Sequence, residues 1–162
     1  MDPSSFFAYP DSVTPKVAGF LAGFHDDEIR DILGYMQTRS YVPGEMAVRR
    51  GDAGSDLFIV TSGRFDVFLA GPRGPRRGVQ YGPGDIFGEL AFFDGQPRAA
   101  DVQASSQAEA LVMTAAGFDR MRLVQPRLAM LFVLDLGRIL SLRFRELSRQ
   151  PGSGQSGASR GK

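Results

Sequence analysis

The chain has 162 residues, of which 43% are apolar and 23% charged; this is the size and composition of one globular domain that can bury a core without covalent staples. It has no cysteine and a single histidine, His25, which excludes disulfides, thiolate nucleophiles, thiolate-ligated zinc or iron–sulfur centres, and multi-histidine metal sites within one chain. Nineteen Lys and Arg against eighteen Asp and Glu give a net charge of +1, too balanced for a dedicated nucleic-acid binder.

Residues 1–15 read as an irregular arm, because Pro3, Pro10 and Pro15 interrupt any helix. Phe6, Phe7 and Tyr9 make this arm apolar enough to pack back on the body. Val17 to Met36 reads as helical, with Phe20, Leu21 and Phe24 followed by Ile29, Ile32, Leu33 and Met36 at helix spacing. His25 or Asp26 is the expected N-cap, since Asp26, Asp27 and Glu28 suit the positive end of a helix.

The texture changes between Ser40 and Met113. Short apolar, β-branched and aromatic runs alternate with glycine turns: Tyr41-Val42, Met46–Val48, Leu57–Val60, Phe65–Leu69, Val79–Tyr81, Val102–Ala104 and Ala110–Met113. Many short strands at roughly even spacing predict a β-sandwich or barrel. Gly71 to Gly78, with Arg73, Arg76 and Arg77, is expected to be an exposed hairpin loop.

Helix returns after Ala115. A short helix is expected over Ala116–Val124, and Pro126 opens a second one running to about Ser148. From Arg120 to Arg149 seven arginines face only Asp135 and Glu146, a local +5 that fits a solvated helix face. The last helix is also apolar on more than one side, so it must bury two sides. Phe132, Leu136, Ile139 and Phe144 are spaced close to a coiled-coil seam, with Arg138, Arg145 and Arg149 left to solvent. A homodimer through residues 127–148 is the expectation. The Gly/Ser-rich stretch 151–162 reads as a disordered tail, which leaves residues 16–150 as the domain. No secretory signal is visible, and the longest strongly apolar run, Leu128–Leu134, is too short to span a bilayer. The expected compartment is the cytoplasm, with no membrane span.

The stretch Gly84 to Val102 carries the chemistry. A strand ends in a glycine turn, Gly88 lets the backbone approach something closely, and Glu89-Leu90-Ala91-Phe92 begins one helical turn. Such a turn offers N–H groups to an anion. Nine residues after Glu89 comes Arg98, followed by the small Ala99 and Ala100. A chain folded back on itself puts the Arg98 fork over the same turn and makes a phosphate cradle. Glu89 makes sense beside an anion only if it accepts a hydrogen bond from a hydroxyl of the same ligand, such as a ribose 2′-OH. A structural Glu89–Arg98 ion pair is the plainer alternative.

Phe87-Gly88-Glu89-Leu90-Ala91 followed by Pro97-Arg98-Ala99-Ala100 resembles the phosphate-binding cassette of the cyclic nucleotide-binding domain family. Pro43-Gly44-Glu45, Arg50-Gly51-Asp52-Ala53-Gly54 and Leu57–Val60 with Gly63 resemble its upstream landmarks. The resemblance covers about residues 17–149. It implies a double-stranded β-helix, a jelly-roll-like barrel, with N-terminal helices, a short cassette helix and a long C-terminal helix. It implies that Arg98 binds the cyclic phosphate, that Glu89 binds the ribose 2′-hydroxyl, and that backbone N–H groups around Leu90, Ala91 and Ala99 complete the cradle. Val79, Phe87 and Gly88 belong to the same implied site. The C-terminal helix is then lid and output, drawn toward the cassette by ligand, and Arg143 falls where a relative, the catabolite activator protein, presents a hydroxyl residue to the base. Arg143 either stacks on the base, reaches its edge, or is solvated. Asp101 stands where many members carry Thr, Ser or an aromatic residue, and an inward carboxylate there would weaken phosphate binding.

The expected function is non-enzymatic sensing of a cyclic nucleotide, cAMP ahead of cGMP because Ala99 has no hydroxyl where, by resemblance, a Thr favours guanine. No metal and no cofactor beyond this ligand is expected. The effector protein is unknown. Direct DNA binding is not expected, because thirteen residues follow Arg149, too few for a helix-turn-helix; a transcription regulator would act through a partner. A ligand-free interaction module is the other alternative. A barrel enzyme lacks any nucleophile–base pair or metal set.

Overall fold

A computed structural model describes residues 19–70 and 74–149. The expectations for the 1–15 arm, for the 151–162 tail and for the tip of the Gly71–Gly78 loop fall outside the described residues.

Among the described residues eight strands form two antiparallel four-stranded sheets. They are β1 (Gln37–Tyr41), β2 (Met46–Val48), β3 (Leu57–Ser62), β4 (Phe65–Leu69), β5 (Arg76–Tyr81), β6 (Ile86–Phe87), β7 (Asp101–Ala104) and β8 (Ala108–Met113). One sheet runs β1-β8-β3-β6 and the other β2-β7-β4-β5. This is the jelly-roll arrangement expected from the sequence. All seven anticipated runs fall in strands, except that Val42 lies just past the end of β1. The eighth, Ile86–Phe87, is only two residues long and pairs with β3 as Phe58 opposite Phe87 and Ile59 opposite Ile86.

The alternation of side chains in β3 explains why four consecutive apolar residues are all buried. Successive residues of a strand point to opposite faces. Phe58 and Val60 join Phe65, Val67, Phe87, Val102 and Val112 inside the barrel. Leu57 and Ile59 face the other way, into a second cluster with Ile86, Met113, Met121, Phe132, Leu136 and Ile139 under the helices. The β3–β4 corner depends on Gly63. Its φ is +73°, and a Cβ there would lie 2.2 Å from the Gln107 carbonyl oxygen.

Among the described residues four helices surround the barrel: α1 (Asp26–Leu33), α2 (Glu89–Asp94), α3 (Ala115–Val124) and α4 (Pro126–Arg149). Within its described part, residues 19–36, the expected Val17–Met36 helix is corrected to α1, since residues 20–24 form turns and a bend. Leu21 interrupts any helix with a φ of +65°. It is buried, and its N–H donates to the Asp135 carboxylate of α4 at 2.6 Å. His25 is the N-cap of α1, and its N–H donates to Glu28 at 3.2 Å. α3 begins as expected, with Thr114 Oγ1 accepting the Gly117 N–H at 3.0 Å.

Two further expectations are corrected. Arg76 and Arg77 belong to β5, and Arg77 pairs with the Asp66 carboxylate at 2.6 Å. On α4, Phe132, Leu136 and Ile139 are fully buried against the barrel, so they form no seam for a partner. Phe144 is 71% exposed and lies on the other side with Met130 and Leu134. Arg138 is not left to solvent: it pairs with Asp135 at 2.7 Å and donates to the Gly19 carbonyl at 3.2 Å.

Candidate functional site

The strand β6, the turn at Gly88 and α2 lead from the barrel core to the surface within a few residues. Phe87 anchors the start: its ring stacks on Phe58 at 4.7 Å between centroids and on Tyr81 at 5.8 Å. Gly88 then caps α2 with φ at +83°. A Cβ on Gly88 would sit 2.6 Å from the Asp56 carbonyl oxygen and 2.9 Å from Arg98 Nη1. Only glycine lets the chain turn that closely over Arg98.

Arg98 reaches back to this turn, as its spacing predicts. Its Nη1 donates to the Gly88 carbonyl at 3.1 Å, and the guanidinium lies 5.8 Å from the Phe58 ring centre. Arg98 is only 8% exposed. Burial pulls its guanidinium below the usual arginine range, and the charges of Asp56 and Glu89 oppose that shift. A buried cation of this kind is held ready for an anion.

A cleft of about 170 Å³ opens beside Arg98, lined on one wall by Gly88, Glu89, Leu90, Ala91, Arg98 and Ala99. Phe87 and Tyr81 reach it from the barrel, and Val48, Val67, Leu69 and Val102 close the other wall. Glu89 and Arg98 thus line one cavity. Val79 does not line it and packs against the barrel core instead. Asp101 turns away, because its carboxylate accepts the Arg50 N–H at 2.7 Å. Arg143 approaches from α4. Its Nη1 lies 3.2 Å from Glu89 Oε1, and its Nη2 donates to the Ile86 carbonyl at 3.0 Å. The Glu89–Arg98 ion pair that the spacing left open is therefore not the one formed; Glu89 pairs with Arg143.

Tyr81 and Asp85 were not among the sequence candidates. Tyr81 ends a strand like any core aromatic, with no local signal. Asp85 follows the Pro83-Gly84 turn and is fully buried; one carboxylate oxygen accepts the Gly82 N–H at 2.8 Å. The other, Oδ1, has no hydrogen-bond partner among the described residues. Burial pushes the Asp85 pKa up to about 6, against the pull of the Gly82 N–H and of Arg143.

This has a consequence for stability. Below about pH 4 the carboxyl is neutral in both the folded and the unfolded chain. Between 4 and 6 the unfolded chain loses its proton first, so stability falls as pH rises. Above 6 the full cost is present, about 3 kcal/mol for a shift of this size. Asp85→Asn is expected to be more stable than the parent at pH 7, with the gap closing as pH falls through 6 toward 4. Urea unfolding at pH 4, 5.5 and 7 measures it.

Among the described residues no three His, Asp or Glu side chains gather to hold a metal ion. No helix among them is long and apolar enough to cross a membrane.

Residues 38–123 match the family model of the cyclic nucleotide-binding domain. A cAMP-dependent protein kinase regulatory subunit of Pyricularia oryzae is 32% identical over 101 residues, covering 62% of this chain and 25% of its own length. The chain thus spans about a quarter of that relative. Among solved structures, a cyclic nucleotide-binding domain from Methylobacillus flagellatus is 26% identical with a TM-score of 0.75, over 84% of this chain and 78% of that one. The catabolite activator protein of Thermus thermophilus is 28% identical with a TM-score of 0.71, over 80% and 59%.

Proposed function

Because the chain belongs to the cyclic nucleotide-binding domain family, we propose that it is a non-enzymatic regulatory sensor whose ligand is cAMP in preference to cGMP. The observation that carries this reading is that a buried Arg98 and Glu89 line one cleft at the end of a jelly-roll barrel. Arg98 binds the cyclic phosphate, assisted by N–H groups around Leu90, Ala91 and Ala99. Glu89 accepts the ribose 2′-hydroxyl. The preference for cAMP rests on Ala99, which lines the cleft without a hydroxyl, and on the regulatory-subunit relative named for cAMP.

The output passes through α4, which belongs to the core on one face and is apolar and exposed on the other. Met130, Leu134 and Phe144 on that exposed face replace the corrected seam as the contact of a parallel homodimer. An effector protein receives that output. The domain extends over residues 16–150.

Calorimetry of the purified protein with cAMP, cGMP and AMP side by side tests the ligand class. Glu89→Gln tests the ribose contact. The variant keeps an acceptor but loses the charge, and a hydrogen bond to a charged group is worth about 1.5–3 kcal/mol against about 1 for a neutral one. The expected result is a roughly threefold to thirtyfold weakening for cAMP and almost none for 2′-deoxy-cAMP. Equal loss on both ligands would assign Glu89 to structure alone.

A further inference from the structure

We propose that Arg39 holds the Asp56 carboxylate away from Arg98, so that the phosphate of the nucleotide meets Arg98 without a competing anion. Arg39 is then a positioning residue of the phosphate site, although it does not line the cleft shared by Glu89 and Arg98. This rests on the reading of Arg98 as the residue that binds the phosphate.

The first observation is that Arg98 lines two clefts. One is the cleft it shares with Glu89. The other, of about 250 Å³, has Arg39, Arg49, Asp52, Gly54 and Asp56 in its walls beside Arg98. Arg98 Nη1 is engaged by the Gly88 carbonyl. Its Nη2 and Nε face Gly54, where an added Cβ would lie 3.5 and 3.8 Å from them. Glycine has no side chain to cover that edge of the fork, which borders the second cleft.

The second observation is that a carboxylate stands in the second cleft. Asp56 and Phe58 both line it, as side chains two apart on an extended run share a side. The Arg98 guanidinium lies 5.8 Å from the Phe58 ring centre. Of the two carboxylate charges that oppose the burial shift of Arg98, that of Asp56 is the larger and that of Glu89 the smaller. A guanidinium fork and a carboxylate in one cleft are natural partners. A carboxylate on Arg98 would take N–H groups that a phosphate needs.

The third observation is where the Asp56 carboxylate goes instead. Its Oδ2 pairs with Arg39 Nη2 at 3.3 Å. Arg39 stands on β1 and Asp56 immediately precedes β3, and β8 lies between those two strands in the sheet. The pair is set by strand order and not by nearness in sequence. It gives Asp56 a counter-charge other than Arg98 and leaves the Arg98 fork to the nucleotide.

Calorimetry with cAMP on three variants tests this. Arg39→Gln releases Asp56 toward Arg98 and should weaken binding about three- to tenfold, between the worth of an exposed ion pair and that of a hydrogen bond to a charged group. Adding Asp56→Asn to Arg39→Gln removes the competing anion and should restore parent-like affinity, as coupled residues do in a double-mutant cycle. Arg39→Gln with Asp52→Asn has the same net charge and should stay weak. Parent-like binding by Arg39→Gln overturns the proposal. So does a loss that Asp56→Asn fails to repair, or one that Asp52→Asn repairs equally well. If the parent protein does not bind cAMP, the phosphate reading falls, and the Arg98 Nε–H signal in a nitrogen-15 spectrum of the protein alone decides the pairing. Slower exchange of that proton in Arg39→Gln, reversed by Asp56→Asn, supports it; unchanged exchange overturns it. Should Arg39→Gln fail to fold, Arg39→Met keeps the apolar stem without the charge and carries the same expectations.

Discussion

Arg98→Ala is expected to lower cAMP affinity by about 30-fold to several-thousand-fold while the protein stays folded. Among the described residues Arg98 is the one cation lining the cleft, and it is buried with its guanidinium against the Gly88 carbonyl and the Phe58 ring. Its removal would leave the cyclic phosphate in a desolvated pocket without a counter-charge. Truncating one partner of a buried charged pair costs about 2–5 kcal/mol, which sets the range of affinity loss. The barrel core does not depend on the guanidinium, so circular dichroism and the unfolding midpoint should change little. Calorimetry reads the affinity. Parent-like binding by the alanine variant would remove the phosphate assignment.

Phe132→Ala is expected to destabilise the fold by about 3–5 kcal/mol, the usual cost of emptying a buried aromatic site. Phe132 has no exposed surface and meets the Phe20 ring edge-on at 5.1 Å between centroids. Phe92 and Phe118 complete the same aromatic group, at 6.4 and 6.2 Å from it. Phe144→Ser, twelve residues along the same helix, should leave the unfolding midpoint of the monomer close to that of the parent. It should instead weaken self-association in sedimentation at several concentrations, because Phe144 lies on the exposed face. If Phe144→Ser unfolded the protein and Phe132→Ala did not, the two faces of α4 would be exchanged.

That pair of variants marks the boundary of what could be read from residues alone. The strands were legible because runs such as Leu57–Val60 are bounded by glycine turns and alternate between two apolar layers. The cassette was legible because Gly88, Glu89 and Arg98 are near neighbours in sequence, so a single folded-back turn brings them together. The helix α4 was harder. Its two apolar stripes, Phe132-Leu136-Ile139 and Met130-Leu134-Phe144, have the same periodicity on opposite sides, and spacing does not say which one meets the sheet. The Arg143–Glu89 pair joins residues far apart in sequence, and its formation depends on how α4 lies across the barrel. Nothing in the chain near either residue encodes that. The same limit applies to the Val17–Met36 stretch. Phe20, Leu21 and Phe24 have helical spacing, yet tertiary packing takes Leu21 into a left-handed conformation, with its N–H on Asp135.

Leu21 also has a mechanical meaning. The Asp135 carboxylate and the Arg138 guanidinium grip the backbone at Leu21 and Gly19, so the chain entering the domain is riveted to the helix by which it leaves. Beyond Arg138, α4 continues for eleven residues to Arg149, about 16 Å at 1.5 Å per residue. That length is a lever whose fulcrum lies at the rivet. A tilt of about ten degrees swings its tip by about 3 Å, roughly the depth of one side-chain contact, while the segment on the other side of the rivet stays still. A disturbance at the fulcrum itself would reach the Gly19–Leu21 segment and the far end of α4 at once.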